Sequence, residues 1–273
     1  MTSSAAPLIP VNISLGVLLA VLLLVAAAVA GWFRLDPHPY KSRAREILVA
    51  GFRATVQLAV VSVVIAWAVK AVLGLLTFLV VMFTVAVRTA GRRITSNHTW
   101  WLTAAPMSAG VIPVVAALLL TGLVPLKGIA LIPITGQLIG GALTVTVLAG
   151  RRALDELAQR HGEVEAAMAL GFPDRDARME IARPAASDAL LPGLDQTRTV
   201  GLVTLPGAFV GMLLGGASPV MAGAVQLFVL IALMTVQSVA VAVTLELVAR
   251  HHLHRPGPGT VPTGAPRKIR PPT

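Results

Sequence analysis

Between Asn12 and Phe33 the chain passes without one charged side chain, and no other feature limits its fold as much. A run of that length matches the thickness of a bilayer, which a helix of about 20 apolar residues crosses. No water is present there to meet N–H and C=O groups, so each crossing segment must bond its own backbone, as a helix does. Further apolar stretches follow at 47–69, 72–87, 102–124, 128–149, 199–215 and 220–248. The expectation is an all-α, polytopic integral membrane bundle of about seven transmembrane helices in the inner or plasma membrane. The third and sixth spans are the shortest, and the seventh is long enough to tilt or to continue past the bilayer as a helix. The first lacks the basic start of a secretory signal and exceeds a signal core in length, so it reads as a permanent span. Composition agrees, with 56% hydrophobic and 12% charged residues and a mean hydropathy of +0.81, outside the soluble range.

Basic residues orient the bundle. Of the 22 lysines and arginines, all but Lys70, Lys127 and Arg53 fall in the first, third and fifth loops or in the C-terminal stretch. Alternate loops share a side, and the basic side is the cytoplasmic one, which places the N-terminus outside and the C-terminus in the cytoplasm. Three regions follow: an outer tail at 1–11, a transmembrane domain at 12–249 with a cytoplasmic loop at 150–198, and a basic cytoplasmic tail at 250–273. The tail is rich in Pro and Gly and is expected to be disordered. The net charge of +10 then marks topology and attraction to anionic lipid, and it requires no nucleic acid. The chain has no cysteine, which excludes disulfides and thiolate metal sites.

Only the loop at 150–198 is long enough for structure of its own. Leu154, Leu157, Val164, Ala167, Met168 and Leu170 recur among charges as in an amphipathic helix, ended by Gly171 and Pro173. Glu165, Ala166 and Ala167, then Gly171, Ile181 and Pro184, resemble the EAA signature of ATP-binding-cassette importer permeases, with Arg183 where the signature has Leu. The resemblance implies a coupling helix that docks into a cytoplasmic ATPase. Small alanines allow close approach and glycine permits the turn. The other reading is an interfacial helix that rests the loop on the bilayer.

The stretch from Leu190 to Leu230 is more specific. Asp195, Thr199–Val200–Gly201–Leu202–Val203, Leu205–Pro206–Gly207, Gly211, Pro219 and Gln226 resemble the pattern of the FetB-type family of iron-export permeases of ATP-binding-cassette systems, which has plant relatives linked to aluminium tolerance. Arg53 and Gln57 are similar to the family's G-R-x-x-x-Q-L element, with Phe52 intervening after Gly51. In the fifth span, Gln137 and Gly141 stand where the family has Met and Asn. The resemblance implies a permease subunit exporting iron or another metal, working as a homodimer with a cytoplasmic ATPase.

Physical roles can be set beside these motifs. Gly207, Gly211 and Gly215 recur every fourth residue, as do Gly136 and Gly140, a small-residue stripe for helix packing or, alternatively, substrate contact. Pro206 should kink the sixth helix and give it a gating role. Arg53 lies within a span, one turn from Gln57, and either snorkels or pairs with Asp195. His251, His252 and His254 form a basic anchor or offer imidazole ligands. Met107, Met212, Met221 and Met234 are packing residues or soft ligands. No metal-binding set is assigned.

The chain lacks G-x-x-x-x-G-K-[ST], so ATP hydrolysis is expected in a partner chain that carries ATP–Mg, and this chain is expected to bind no cofactor and to act as a transport subunit rather than an enzyme. An ATP-independent carrier, or a membrane scaffold or receptor subunit, is the alternative.

Overall fold

The computed structural model describes residues 12–35, 42–68, 71–122 and 128–255, with the backbone alone for 128–130. The outer tail, Lys70, Lys127 and the stretch 256–273 lie outside the described residues. The expected transmembrane domain divides into two units, Met1–Ala68 and Val69–Thr273.

The first unit is a pair of helices, α1 (Ile13–Trp32) and α2 (Arg43–Ala68). The side chain of Asn12 accepts from the Leu15 N–H at 3.1 Å and starts α1. The two helices meet closely where Gly51 leaves room for Leu23, whose methyl carbons lie 2.6 Å from where a Cβ would stand. Most of the large apolar side chains of α1, including Leu18, Leu22 and Val25, are exposed, as suits a helix solvated by lipid rather than water.

The second unit holds α3 (Val72–Ile94), a 3-10 turn (His98–Thr103), α4 (Ala104–Leu120), α5 (Gly128–Gln159), α6 (His161–Ala169), α7 (Asp174–Ser187), α8 (Leu191–Thr199), α9 (Gly207–Leu214) and α10 (Pro219–Ala249). α10 packs against α4, α5, α7, α8 and α9. Its closest approaches converge on one turn. A Cβ on Gly110 of α4 would stand 2.7 Å from the Val236 carbonyl oxygen, one on Gly141 of α5 would fall inside Leu233, and one on Gly193 of α8 would fall inside Gln237. Three glycines on three elements thus remove side chains where the α10 turn at 233–237 needs the space.

Among the described residues, six helices are long and apolar enough to cross a membrane: α1, α2, α3, the 3-10 turn with α4, α5 and α10. The stretch expected to supply another, 199–215, is not one continuous helix. α8 ends at Thr199, residues 200–206 are not helical, and only Gly207–Leu214 returns to helix. Gly193 lies against Gln237, while residues 200–209 line a cavity with residues 223–230. The segment therefore climbs α10 in the opposite direction, as a broken span. Pro206 does not kink a continuous helix as expected. It has φ −64° and ψ 153° and stands just before α9, because it lacks an N–H and biases the preceding residue towards extended backbone. Gly201 adds a left-handed residue at φ +81°, and the turn closes with Thr199 accepting from the Val203 N–H at 2.9 Å.

α5 has 32 residues and α10 has 31; at about 1.5 Å per residue both outreach the hydrocarbon core. Their C-terminal ends, with that of α3, form the basic end of the bundle, where Arg88 and Arg92 lie 6.0 and 5.9 Å from the ring centre of Trp100.

Gly110→Ala should destabilise the protein by about 1–3 kcal/mol, because the methyl meets backbone that cannot swing aside. Gly140→Ala meets nothing within 4 Å and should be neutral or stabilising by up to about 1 kcal/mol through helix propensity. Melting of the two variants in detergent distinguishes them.

Candidate functional site

The loop at 150–198 holds the end of α5, then a helical hairpin of α6 and α7 that pack on each other, and most of α8. Glu165 is exposed and pairs with His161 at 3.3 Å; Ala166 is exposed and Ala167 half-buried. Val164 turns into the core. α6 ends in a Schellman closure: the Gly171 N–H donates to the Met168 carbonyl at 2.9 Å and the Phe172 N–H to the Ala167 carbonyl at 3.1 Å. That closure places Gly171 at φ +94°, a conformation natural to glycine and strained for other residues. Pro173 then leads into α7.

The turn carries a feature that the sequence showed only in part. Leu170 is 82% exposed and Phe172 52% exposed, both in the turn between α6 and α7. Leu170 falls within the amphipathic pattern read from the sequence, whereas Phe172, beyond the helix end, lies outside it. The Arg160 guanidinium holds the Glu163 carboxyl below its ordinary range by donating to it.

α7 fixes this tip to the bundle. Ala177, Ala182 and Ala186 are buried, a small-residue face that lets α7 lie close on α5 and α10. Arg175 donates to both carboxylate oxygens of Glu246 on α10, at 3.1 and 2.6 Å, and Arg250 donates to Glu246 at 2.6 Å. Arg178 bonds Asp174 at 2.7 Å and donates to His251 Nδ1 at 2.9 Å.

The start of the C-terminal tail is part of the same assembly. α10 ends in a second Schellman closure with His251 at φ +58°. Leu253 is fully buried, and the His254 carbonyl accepts from Thr95 Oγ1 at 2.9 Å and Asn97 Nδ2 at 2.8 Å. Arg255 donates to the Ile94 carbonyl and pairs with Asp155. Residues 250–255 therefore latch α3 to α5. His251 and His254 stack with ring centres 4.7 Å apart, and among the described residues no cluster of three His, Cys, Asp or Glu is arranged to hold a metal ion.

The remaining residues singled out from sequence spread over several places. Arg53 and Gln57 are exposed on α2 in the first unit. Asp195 pairs with Arg198 at 3.5 Å. Gly136 faces Met82, while Cβ atoms on Gly140, Gly207 and Gly211 would meet nothing within 4 Å, and one on Gly215 would meet only carbonyls of α9 itself. Close packing inside the chain thus falls to other glycines. Gln137 is half-buried on α5. Met107 is in the core and Met221 is exposed. Gln226 is 3% exposed on α10 and lines the cavity formed with the broken span.

Residues 13–253 match the uncharacterised protein family UPF0014. The chain belongs to that family. It is 34% identical over 201 residues to the UPF0014 membrane protein STAR2 of Oryza sativa subsp. japonica, covering 71% of this chain and 70% of the relative. It is 36% identical over 152 residues to Protein ALUMINUM SENSITIVE 3 of Arabidopsis thaliana, covering 55% of each chain. It is 28% identical over 211 residues to the Probable iron export permease protein FetB of Escherichia coli (strain K12), covering 76% of this chain and 81% of the relative. No solved structure matches. The long apolar helices and the family together make this UPF0014 protein a multi-pass membrane protein.

Burial and the neighbouring Arg178 charge push the His251 ring below its usual value of 6.5. A lowered folded value means that the unfolded chain takes up the proton first, so this contribution to stability is complete above about pH 6.5 and is lost as the pH falls below it. Melting should therefore drop between about pH 7.5 and about pH 5.5. His251→Asn, which tolerates the left-handed backbone, should flatten that dependence.

Proposed function

We propose that this chain is the membrane-spanning subunit of an ATP-binding-cassette transporter, driven by a separate cytoplasmic ATPase that docks on the α6–α7 hairpin. The observation that carries the reading is the exposed Leu170–Phe172 tip on a hairpin locked to α10 through Arg175 and Glu246. An apolar tip on a protruding turn suits a groove on a soluble partner. A tip tied to a spanning helix by packed alanines and a two-point ion pair moves that helix when it moves. An interfacial anchor would need no such tie.

Glu165, Ala166, Ala167 and Gly171 then form the coupling segment, with Leu170 and Phe172 as its contact surface. Gly171 supplies the turn that presents them. Two copies of the chain would offer two hairpins to a pair of ATPase subunits, which bind ATP–Mg. The exposed stripe of Gly207, Gly211 and Gly215 is free for packing against a second copy. Metal export, with iron as the first candidate, is the cargo that the name of the FetB relative suggests.

The chain has no cysteine, so Ala167→Cys places a single thiol on the hairpin for crosslinking in membranes of the native host. The expected product is a conjugate with a soluble chain bearing G-x-x-x-x-G-K-[ST]. Phe172→Asp should weaken that association at least ~10-fold, since removing a buried aromatic contact costs ~1.5–3 kcal/mol. A thiol shielded by lipid, with no ATPase captured, would replace this reading with an interfacial anchor on a scaffold or carrier.

A further inference from the structure

Among the described residues of the second unit, the arginines divide in two. Those of the hairpin, of α8 and of the segment after α10 each have a carboxylate: Glu246 for Arg175 and Arg250, Asp174 for Arg178, Asp195 for Arg198 and Asp155 for Arg255, with Arg160 and Arg183 paired inside the hairpin. Arg88, Arg92 and Arg93 on α3 and Arg151 and Arg152 on α5 are exposed and pair with no carboxylate among the described residues. The two helices meet at that end, where Gly150 of α5 leaves room for Ile94 of α3, whose nearest carbon is 2.9 Å from where a Cβ would stand. The carboxylates one turn beyond Arg151 and Arg152 are engaged elsewhere, Asp155 by Arg255 and Glu156 by Arg160.

Arg88 and Arg92 are the fixed part of this cluster. Four residues apart, they share one face of α3, and the half-buried Trp100 ring holds both guanidiniums, 6.0 and 5.9 Å from its centre. The negative end of the α3 dipole accounts for Arg92 and Arg93 in the last turn, but not for Arg88 a turn earlier, beside a like charge. The same face is apolar for the rest of its length: Leu73, Val81 and Val85 are exposed at the spacing that aligns them with Arg88. Counted from Val72, Arg88 stands about 24 Å and Arg92 about 30 Å along the helix, the depth at which hydrocarbon gives way to headgroups. Trp101, next to Trp100, is exposed, as aromatic side chains at that level are.

We infer that Arg88 and Arg92 form a binding site for the phosphate of an anionic glycerophospholipid whose acyl chain lies along the α3 stripe. A guanidinium offers paired N–H donors to phosphate oxygens, and two guanidiniums held by one indole lose little freedom on binding. One phosphate also relieves the repulsion between the neighbouring cations. A zwitterionic lipid carries its own ammonium and gains less, and a soluble phosphate has no chain to lay on the stripe. Arg93, Arg151 and Arg152 add a positive field around the site. Nothing in it requires an ATPase on the hairpin.

The test uses the full chain in bilayers with no ATPase present. Trp32 and Trp67 are exposed on the first unit, so Trp32→Phe and Trp67→Phe leave Trp100 and Trp101 as fluorescent reporters at the site. Phosphatidylcholine bilayers receive an equal fraction of brominated phosphatidylglycerol or of brominated phosphatidylcholine, whose bromines quench an indole on contact. Phosphatidylglycerol should quench more. Its relative affinity should fall roughly 30-fold when Arg88→Gln and Arg92→Gln are combined, from the attraction each arginine contributes near the surface, and about 5-fold for Arg88→Gln alone, which serves if the pair does not fold. Arg183→Gln with Arg198→Gln removes the same charge from two exposed, paired arginines and should leave the preference in place. Equal quenching by the two lipids would overturn the site and give its arginines to an acidic protein partner. An equal loss in both double variants would also overturn it, leaving only the attraction of net charge. Glycerol phosphate in the water should not relieve the excess quenching; relief would make the ligand a free phosphate.

Discussion

The turn of α10 at 233–237 can be packed on several sides only because Gly110, Gly141 and Gly193 have no side chains there. In lipid, apolar burial gives little reason for one helix to prefer another over the surrounding chains, so close backbone approach and shape must supply the association. A methyl at any of the three positions would separate an element from α10. α7 and α9, which also pack on α10, depend on where that helix stands. The rest of the second unit follows from this one meeting.

α10 then serves two ends of the molecule at once. At its basic end, Glu246 receives Arg175 from the hairpin, and the segment after the helix buries Leu253 and bonds back to the end of α3. Nearer its start, the same helix forms one wall of the cavity whose other wall is the broken span. The hairpin tip and the helix that carries Gln226 are joined by a short chain of packed and ion-paired contacts. No long-range relay has to be assumed, since a stiff helix connects the two places directly.

The broken span is where local and tertiary demands separate. Hydropathy over 199–215 is that of a helix, but Gly201, Pro206 and the uncapped start at Gly207 oppose one. In water such a break is solvated. Here α10 borders it on one side through Gly223, Gln226, Leu227 and Leu230, while Leu202, Val203 and Leu205 stay exposed. Irregular backbone and an unpartnered glutamine therefore occur together here and on no other spanning segment of the second unit among the described residues.

Much was decided by the sequence alone. The apolar runs required helices because lipid offers no other partner for the backbone, and Gly171 with Pro173 had to end α6. The resemblance around 190–230 pointed to the family that the chain belongs to. Spacing along one helix did not reveal the glycines that pack inside the chain: among the described residues the regular stripe of Gly207, Gly211 and Gly215 meets no other helix, whereas the close approaches on α10 use glycines that stand singly on three separate elements. Their convergence is a property of three-dimensional packing, invisible to any single periodic pattern. The same holds for Gln226, whose lack of partners depends on what neighbouring elements bring to it. It holds also for Leu170 and Phe172, whose exposure is set by where the hairpin turns. Local chemistry settled which segments are helices and which way they end; only the tertiary structure settled which side chains those helices enclose and which they leave outward.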